Sequence, residues 1–259
     1  MPKKGKKQQY LGNIRKLPNG ISGITVNFTQ NREKGARREF LALLNRYADI
    51  LYGPEKHMKE HAPMIEEAGV DIEDAIRAEV CEIKEKSRSS AHRRFNILQT
   101  FGCNIFVKVD RRIVDPVRLV EFIVQGQTAA EGAGDTKQSD KAMVLQYLHR
   151  LEPIVTTTFA DIDKITQVVE EQLRDSAFVT GKSFSVGFKS RNSTMVDRKE
   201  VIDAVGATVA AHDASLTVDL ETPDFVVFVS VWFSTAGVSI LSQRYTQSKK
   251  YALKRSDGE

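Results

Sequence analysis

Residues 182–202 read KSFSVGFKSRNSTMVDRKEVI. The first half alternates like a strand, with Phe184, Val186 and Phe188 on one face and Ser183, Ser185, Gly187, Lys189 and Arg191 on the other, since strand side chains repeat with a period of two. Lys189 and Arg191 therefore point together, away from the apolar face. Gly187 and the serines keep that face low, so another backbone can approach it. Asn192, Ser193 and Thr194 add neutral hydrogen-bonding groups. Asp197-Arg198-Lys199-Glu200 then has capping-box spacing, with Ile202, Val205 and Val209 behind it as a helix stripe. A helix N-terminus offers free amides and a partial positive charge. A core strand delivering two cations to such a terminus suits phosphate oxygens. The same cations also suit a solvated edge, and the pattern leaves both readings open.

Downstream, LTVDL (216–220) predicts a short strand. DFVVFVSVWFS (224–234) is almost continuously apolar, as expected of a central strand covered on both faces. VSILSQ (238–243) reads as its hairpin partner across Ala236-Gly237, and the end, QSKKYALKRSDGE, as a basic frayed segment. Upstream, LHRLEPIVTTTF (148–159) predicts one strand in which Pro153 requires an edge or a break. Asp161 caps a helix carrying Ile162, Ile165, Val168, Val169 and Leu173. GQTAAEGAGDTKQSD (126–140) has no aromatic or branched aliphatic residue and is the best linker candidate.

The amino half predicts a strand at 21–30 and a basic helix at 32–52, closed by Gly53-Pro54. A helix-compatible stretch covers 71–86, and two strands, 96–102 and 104–110, meet at Gly102. Asp115-Pro116 starts a further helix, since Asp is a good N-cap and Pro suits the first turn. Strand, helix, strand, strand, helix is a ferredoxin-like half without an obvious last strand.

The 259 residues are 41% hydrophobic and 28% charged, with a net charge of +4. These are ordinary values for a folded chain. The charge is segregated: Lys3, Lys4, Lys6, Lys7, Arg15 and Lys16 open the chain with no acid among them, and acids gather at 66–85. Segregation of this kind favours an anion-facing side. Cys81 and Cys103 lack zinc spacing and fit a reducing compartment. No apolar run approaches the roughly 20 residues of a membrane span, and the start lacks the apolar core of a secretory signal.

Motifs for chemistry are missing. No phosphate loop, GxGxxG, GxSxG or HExxH appears. His57 and His61 have the i, i+4 spacing of a metal pair without an evident third ligand. Glu152 is a lone carboxylate with no visible acid–base partner.

Three stretches in combination resemble the THUMP-domain family, and within it the adaptor subfamily that assists tRNA cytidine acetylation: LHRLEPIVTTTFADIDKI (148–165), FSVGFKSRNSTMVDRKEVI (184–202) and VDLETPDFVVFVSVWFSTAGVSIL (218–241). GITVNFTQNREKGARREF and RRFNILQTFGCNIFVKV in the amino half are similar too. The resemblance implies an α+β chain, with an N-terminal ferredoxin-like domain followed by a THUMP α/β domain with a mixed sheet. Its expected divisions are a basic tail at 1–20, the first domain at 21–125, a linker at 126–141, the THUMP domain at 142–252 and a frayed tail at 253–259.

It also implies a noncatalytic tRNA-binding adaptor with no catalytic residue, metal or cofactor of its own. The expected partners are tRNA and a separate RNA cytidine acetyltransferase, which uses acetyl-CoA and ATP to make N4-acetylcytidine in the D-arm of serine and leucine tRNAs. No membrane is expected. The expected compartment is the nucleus or nucleolus, with the cytoplasm as a further one. By position in the matching motifs, Arg150, Lys189, Arg191 and Asn192 are the first RNA-contact candidates; Arg198 and Lys199, at the helix start, are the second; Lys108, Arg111 and Arg112 of the first domain are the third, with ordinary surface charge as the alternative reading. The alternatives are an RNA-modifying enzyme with an unrecognised site and a scaffold whose basic faces meet acidic protein partners. A-form RNA exposes phosphates and hydroxyls rather than a readable major groove, so recognition by shape and charge is expected.

Overall fold

A computed structural model describes residues 17–54, 93–129, 143–175 and 183–254. The opening basic segment, the 71–86 stretch, His57, His61 and Cys81 lie outside the described residues. The chain is α+β, with sheets of mixed strand direction.

The first layer pair contains β1 (Ser22–Phe28), α1 (Glu33–Tyr52), β2 (Phe95–Phe101), β3 (Asn104–Val109), α2 (Pro116–Ala129) and β4 (Leu148–Ile154). The strands lie in the order β2-β3-β1-β4, every pair antiparallel. Alternation in β1 puts Ile24, Val26 and Phe28 against Phe40, Leu43 and Leu44 of α1 and Val120 and Ile123 of α2. The caps follow the sequence: the Asp115 carboxylate accepts from the amides of Val117 at 2.8 Å and Arg118 at 3.1 Å.

The second comprises β5 (Thr156–Phe159), α3 (Ile162–Asp175), β6 (Ser183–Arg191), α4 (Arg198–His212), β7 (Thr217–Val218), β8 (Phe225–Trp232), β9 (Thr235–Ser242) and the short α5 (Arg244–Gln247). Its sheet runs β5-β9-β8-β6-β7, with β6 parallel to β7 and β8, and β9 antiparallel to β8 and β5. Phe184, Val227, Val229 and Val231 pack under Ile165 and Val169 of α3 and Val205 and Val209 of α4. All eight residues of β8 are buried, as its continuous apolar run requires.

With helices on both outsides, the inner faces of the two sheets meet. Phe106, Ile154 and Trp232 fill the middle of that seam, the Phe106 and Trp232 rings edge-on at 6.2 Å. Gly237 is a point of contact, because a Cβ there would lie 2.8 Å from Ile154 and 3.0 Å from Trp232.

Four local expectations change. The single strand expected at 148–159 is two. Its first half completes the first sheet on the outer side of β1, where the missing N–H of Pro153 is tolerated. At Val155 the chain changes sheets: its amide meets the Ser239 hydroxyl at 3.0 Å and the Val238 carbonyl at 3.2 Å, and β5 then pairs with β9. Strand β4 thus lies within the range expected to be one unit, 142–252, yet pairs with β1.

The first residues of the linker expected from 126 are helical instead, because α2 continues to Ala129. Gly126 lies against Tyr47, and Gln127 is buried, its amide donating to the Met143 carbonyl at 3.2 Å. The hairpin turns at Phe233–Ser234 rather than Ala236-Gly237, with Phe233 at φ 53° and Trp232 opposite Thr235. As far as Lys254, the end expected to fray is anchored. Tyr251 is fully buried in the first core and donates to Glu121 at 3.0 Å, and the amide of Leu253 reaches the His149 carbonyl at 2.8 Å.

Candidate nucleic-acid interface

Strand alternation explains why charge enters the seam. In β4, Leu151 and Pro153 face the helices, so Arg150 and Glu152 face the other sheet. In β6, Phe184, Val186 and Phe188 face α3 and α4, which turns Lys189 and Arg191 inward. In β1, Thr25 and Asn27 stand opposite Glu152 and Arg150, and Asn27 also stands opposite Asn104 of β3. The result is a polar cluster on the flank of the Phe106–Trp232 plug.

At its centre the Lys189 amine donates to the carboxylate of Glu152. Glu152 is 4% exposed and Lys189 24%. Two long hydroxyl bonds complete the carboxylate, from Thr25 Oγ1 at 3.4 Å and Ser230 Oγ at 3.5 Å. Burial lowers the pKa of Lys189 below its ordinary 10.5. The charge and hydrogen bond of Glu152 oppose that shift, and the neighbouring Arg191 and Arg150 add to it. Lys189 is therefore a counterion inside the seam rather than a free surface cation.

Arg191 lies further out. The Asn27 amide is oriented by its guanidinium, which can only donate, and the Asn27 oxygen accepts from Arg191 at 2.6 and 2.9 Å. The opposite orientation would place that oxygen 3.4 Å from Lys189 Nζ and turn the amide NH2 onto the guanidinium; the two shorter contacts decide. Arg150 is half-buried, and its Nε has no hydrogen-bond partner among the described residues. Asn192 is exposed at φ 51°, a left-handed conformation that asparagine tolerates and that ends the strand.

The structure therefore brings Arg150, Lys189, Arg191 and Asn192 together. Arg198 and Lys199 are exposed on the first turn of α4. The amides of that turn are partly taken: the Asp197 carboxylate accepts from Lys199 N at 2.7 Å and Glu200 N at 3.3 Å. Lys108, Arg111 and Arg112 stand apart, at the opposite end of β1. Arg112 is held by Asp110 through two contacts of 3.1 Å, and that hydrogen-bonded guanidinium keeps the Asp110 carboxyl below its ordinary value. Arg94 is buried beneath α1, donating to the Gly53 carbonyl at 2.9 Å and pairing with Asp49 at 3.1 Å.

Asn27, Asn104 and the role of Glu152 were missed in the sequence. A usable signal existed: Arg150 and Glu152 alternate with apolar residues in LHRLEPI, which puts two opposite charges on one face of a core strand. Among the described residues no group of three or more His, Cys, Asp and Glu gathers as a metal site, and no helix is long and apolar enough to cross a membrane.

The family model for the THUMP domain matches residues 159–241, from the end of β5 through β9. This chain contains a THUMP domain. It comprises the helices α3 and α4 and the strand β6, which carries both Lys189 and Arg191. The whole chain is 28% identical to THUMP domain-containing protein 1 of Mus musculus, over 98% of this chain and 69% of that protein. It is 25% identical to the Saccharomyces cerevisiae protein named tRNA acetyltransferase TAN1, over 92% of this chain and 86% of that one. The solution structure of the THUMP domain of THUMP domain-containing protein 1 is 25% identical, covering 30% of this chain and 80% of that domain, with a TM-score of 0.27. The chain thus spans about two-thirds of the length of its mouse relative. Arg150 and Glu152 precede the THUMP match, so the polar cluster is assembled from both sides of it.

Proposed function

We propose that this chain is a noncatalytic tRNA-binding adaptor, which presents tRNA to a separate RNA cytidine acetyltransferase for N4-acetylcytidine formation. The observation that carries the reading is the convergence of Arg150 and Arg191 at one flank of the seam, beside exposed Asn192 and the first turn of α4 with Arg198 and Lys199. Guanidinium groups suit phosphate because their planar forks donate two parallel hydrogen bonds. Lys189 acts indirectly, by neutralising Glu152 so that the arginines sit in a net positive field.

The THUMP match and the tRNA acetylation named for the Saccharomyces cerevisiae relative support the substrate class. The D-arm cytidine of serine and leucine tRNAs is the proposed target. Acetyl-CoA and ATP are assigned to the partner enzyme. The only buried carboxylate among the described residues, Glu152, is engaged by Lys189 inside the seam, which favours a binding role over acid–base work.

Two measurements test this. Filter binding of tRNA across a salt series is expected to show affinity falling steeply as counterion release predicts; absence of binding at low salt favours the scaffold. Purified chain is then incubated with tRNA, acetyl-CoA and ATP, with and without the acetyltransferase. Acetylcytidine is expected only when both proteins are present, and its formation by this chain alone would overturn the adaptor reading.

A further inference from the structure

At the other end of β1 a second basic group surrounds a cleft of about 440 Å³. Arg93, Asn96, Lys108, Arg111 and Arg112 line it, together with the segment Gly20–Ser22. Its volume falls within the range of small-ligand sites. Four cations meet one carboxylate, Asp110, and that carboxylate is committed to Arg112. Arg93, Lys108 and Arg111 form no salt bridge among the described residues, although the Lys108 charge helps to depress Asp110.

The walls are fixed by the fold. Lys108 is paired in register with Asn96 on one side and Gly23 on the other. The Gly20 amide donates to the Thr157 carbonyl at 2.6 Å and the Ile21 amide to Thr157 Oγ1 at 3.1 Å, which stitches that segment to β5. Arg112 and Asp110 brace the turn after β3.

We infer that this cleft is a phosphate pocket, separate from the Arg150–Arg191 flank. In the tRNA-bound state it takes a phosphate of the RNA, a statement that rests on the tRNA-binding reading. Three cations without an ion pair among the described residues, converging on one concavity, match a multiply charged group with several acceptor oxygens. A single carboxylate would leave most of that charge unanswered. Phosphate can come from an RNA chain or from a free polyphosphate, and the test separates these sources.

The full-length chain, Arg93→Ala/Arg111→Ala and, as a control, Arg150→Ala/Arg191→Ala are compared for binding of tRNA and of inorganic pyrophosphate. Both cleft residues are exposed and free of ion pairs among the described residues, so the fold should survive; circular dichroism checks it. The cleft variant is expected to lose about tenfold in tRNA affinity at low salt and to lower the salt slope by about two. Pyrophosphate is expected to compete with tRNA on the wild type and the control, but not on the cleft variant.

If wild type binds pyrophosphate through the cleft but binds no tRNA, the pocket stands as a free-polyphosphate site and the tRNA reading alone fails. Loss of tRNA affinity in the cleft variant without pyrophosphate binding to any protein assigns the pocket to chain phosphates. Unchanged tRNA affinity and slope with no pyrophosphate binding would overturn the pocket. So would a polyglutamate peptide that binds the cleft as well as pyrophosphate does.

Discussion

The Glu152–Lys189 pair permits a quantitative test of what holds the seam together. Replacing Lys189 by Met keeps the aliphatic bulk and removes the amine that pairs with a carboxylate that is 4% exposed. Stranding one member of a fully buried pair costs about 3–5 kcal/mol. Two features of this site reduce that figure. Lys189 is 24% exposed, so water reaches its end of the pair. Arg150 and Arg191 lie close enough to perturb the amine, and they continue to offset Glu152 after it is gone. About 2 kcal/mol is the expected cost, or roughly 4–8 °C in Tm for a chain of this size. Glu152→Gln leaves an amine that can still reach water, at a cost of about 1 kcal/mol. The double variant is expected within about 1 kcal/mol of wild type, since replacing both members of a buried pair is often neutral. Urea unfolding of all four proteins gives the coupling energy, with the m-value checking that the unfolded state is unchanged. tRNA binding is measured on the same proteins. With Lys189 acting as counterion to Glu152, the double variant keeps wild-type affinity, whereas a direct phosphate contact would make it bind more weakly. A neutral Lys189→Met, or single-variant effects that simply add in the double, would refute the assignment.

Two further outcomes follow from the same cluster. Folding lowers the Lys189 pKa, so the group adds stability as pH rises through the window between its folded value and its unfolded value of about 10.4; that contribution is lost as pH falls through the folded value. NMR titration of the Lys189 amine should give a midpoint below 10.5, lower still in Glu152→Gln, because Glu152 is what holds the value up; an unchanged or higher midpoint in that variant contradicts the geometry. Asp197→Ala should cost about 1 kcal/mol by removing the cap on α4, with Asp197→Asn retaining most of the stability. Because Asp197 already occupies two amides of that turn, its loss should leave tRNA affinity undiminished, and a drop in affinity at preserved fold would show that the carboxylate helps to order the RNA contacts.

Much of the layer structure is legible because periodicity speaks locally. The alternation of β1, the stripe of α1, the Asp115 and Asp161 starts and the unbroken run of β8 each declare an element within a dozen residues. What periodicity cannot report is the partner of a face. LHRLEPIVTTTF shows a break only through Pro153, and nothing in it names the sheet each half joins, because the hydrogen bonds that move the chain at Val155 go to Val238 and Ser239, more than 80 residues on. Gly237 reads as a turn residue, whereas the space of its missing Cβ is taken up by Ile154 from across the seam and by Trp232 of the neighbouring strand. Tyr251 sits in a basic run that resembles a solvated tail, and only the first core shows where it belongs. The candidate site divides in the same way. The direction of Lys189 and Arg191 follows from the period of two, but the meeting of Lys189 with Glu152, 37 residues apart in sequence, follows from two sheets stacking.

That stacking also accounts for where the unpaired charge ends up. The middle of the seam is filled by Phe106, Ile154 and Trp232, and Glu152, the one acid buried there among the described residues, brings its own amine. Burying a charge without a partner is too costly for further ions to enter, so the remaining cations on the inner faces collect where water reaches them. Arg150 and Arg191 collect at one end, and Lys108, with Arg93 and Arg111, at the other. Lys108 pairs with Gly23 and Arg150 with Asn27, four residues apart on the same strand. At about 3.3 Å per residue the two groups are separated by roughly 13 Å along β1. A strand paired on both sides cannot stretch or slip without breaking its ladder, so this spacing is fixed before any ligand arrives. Two positive sites at a fixed distance discriminate between anions by the placement of their phosphates, and recognition of RNA by shape needs that property rather than base readout.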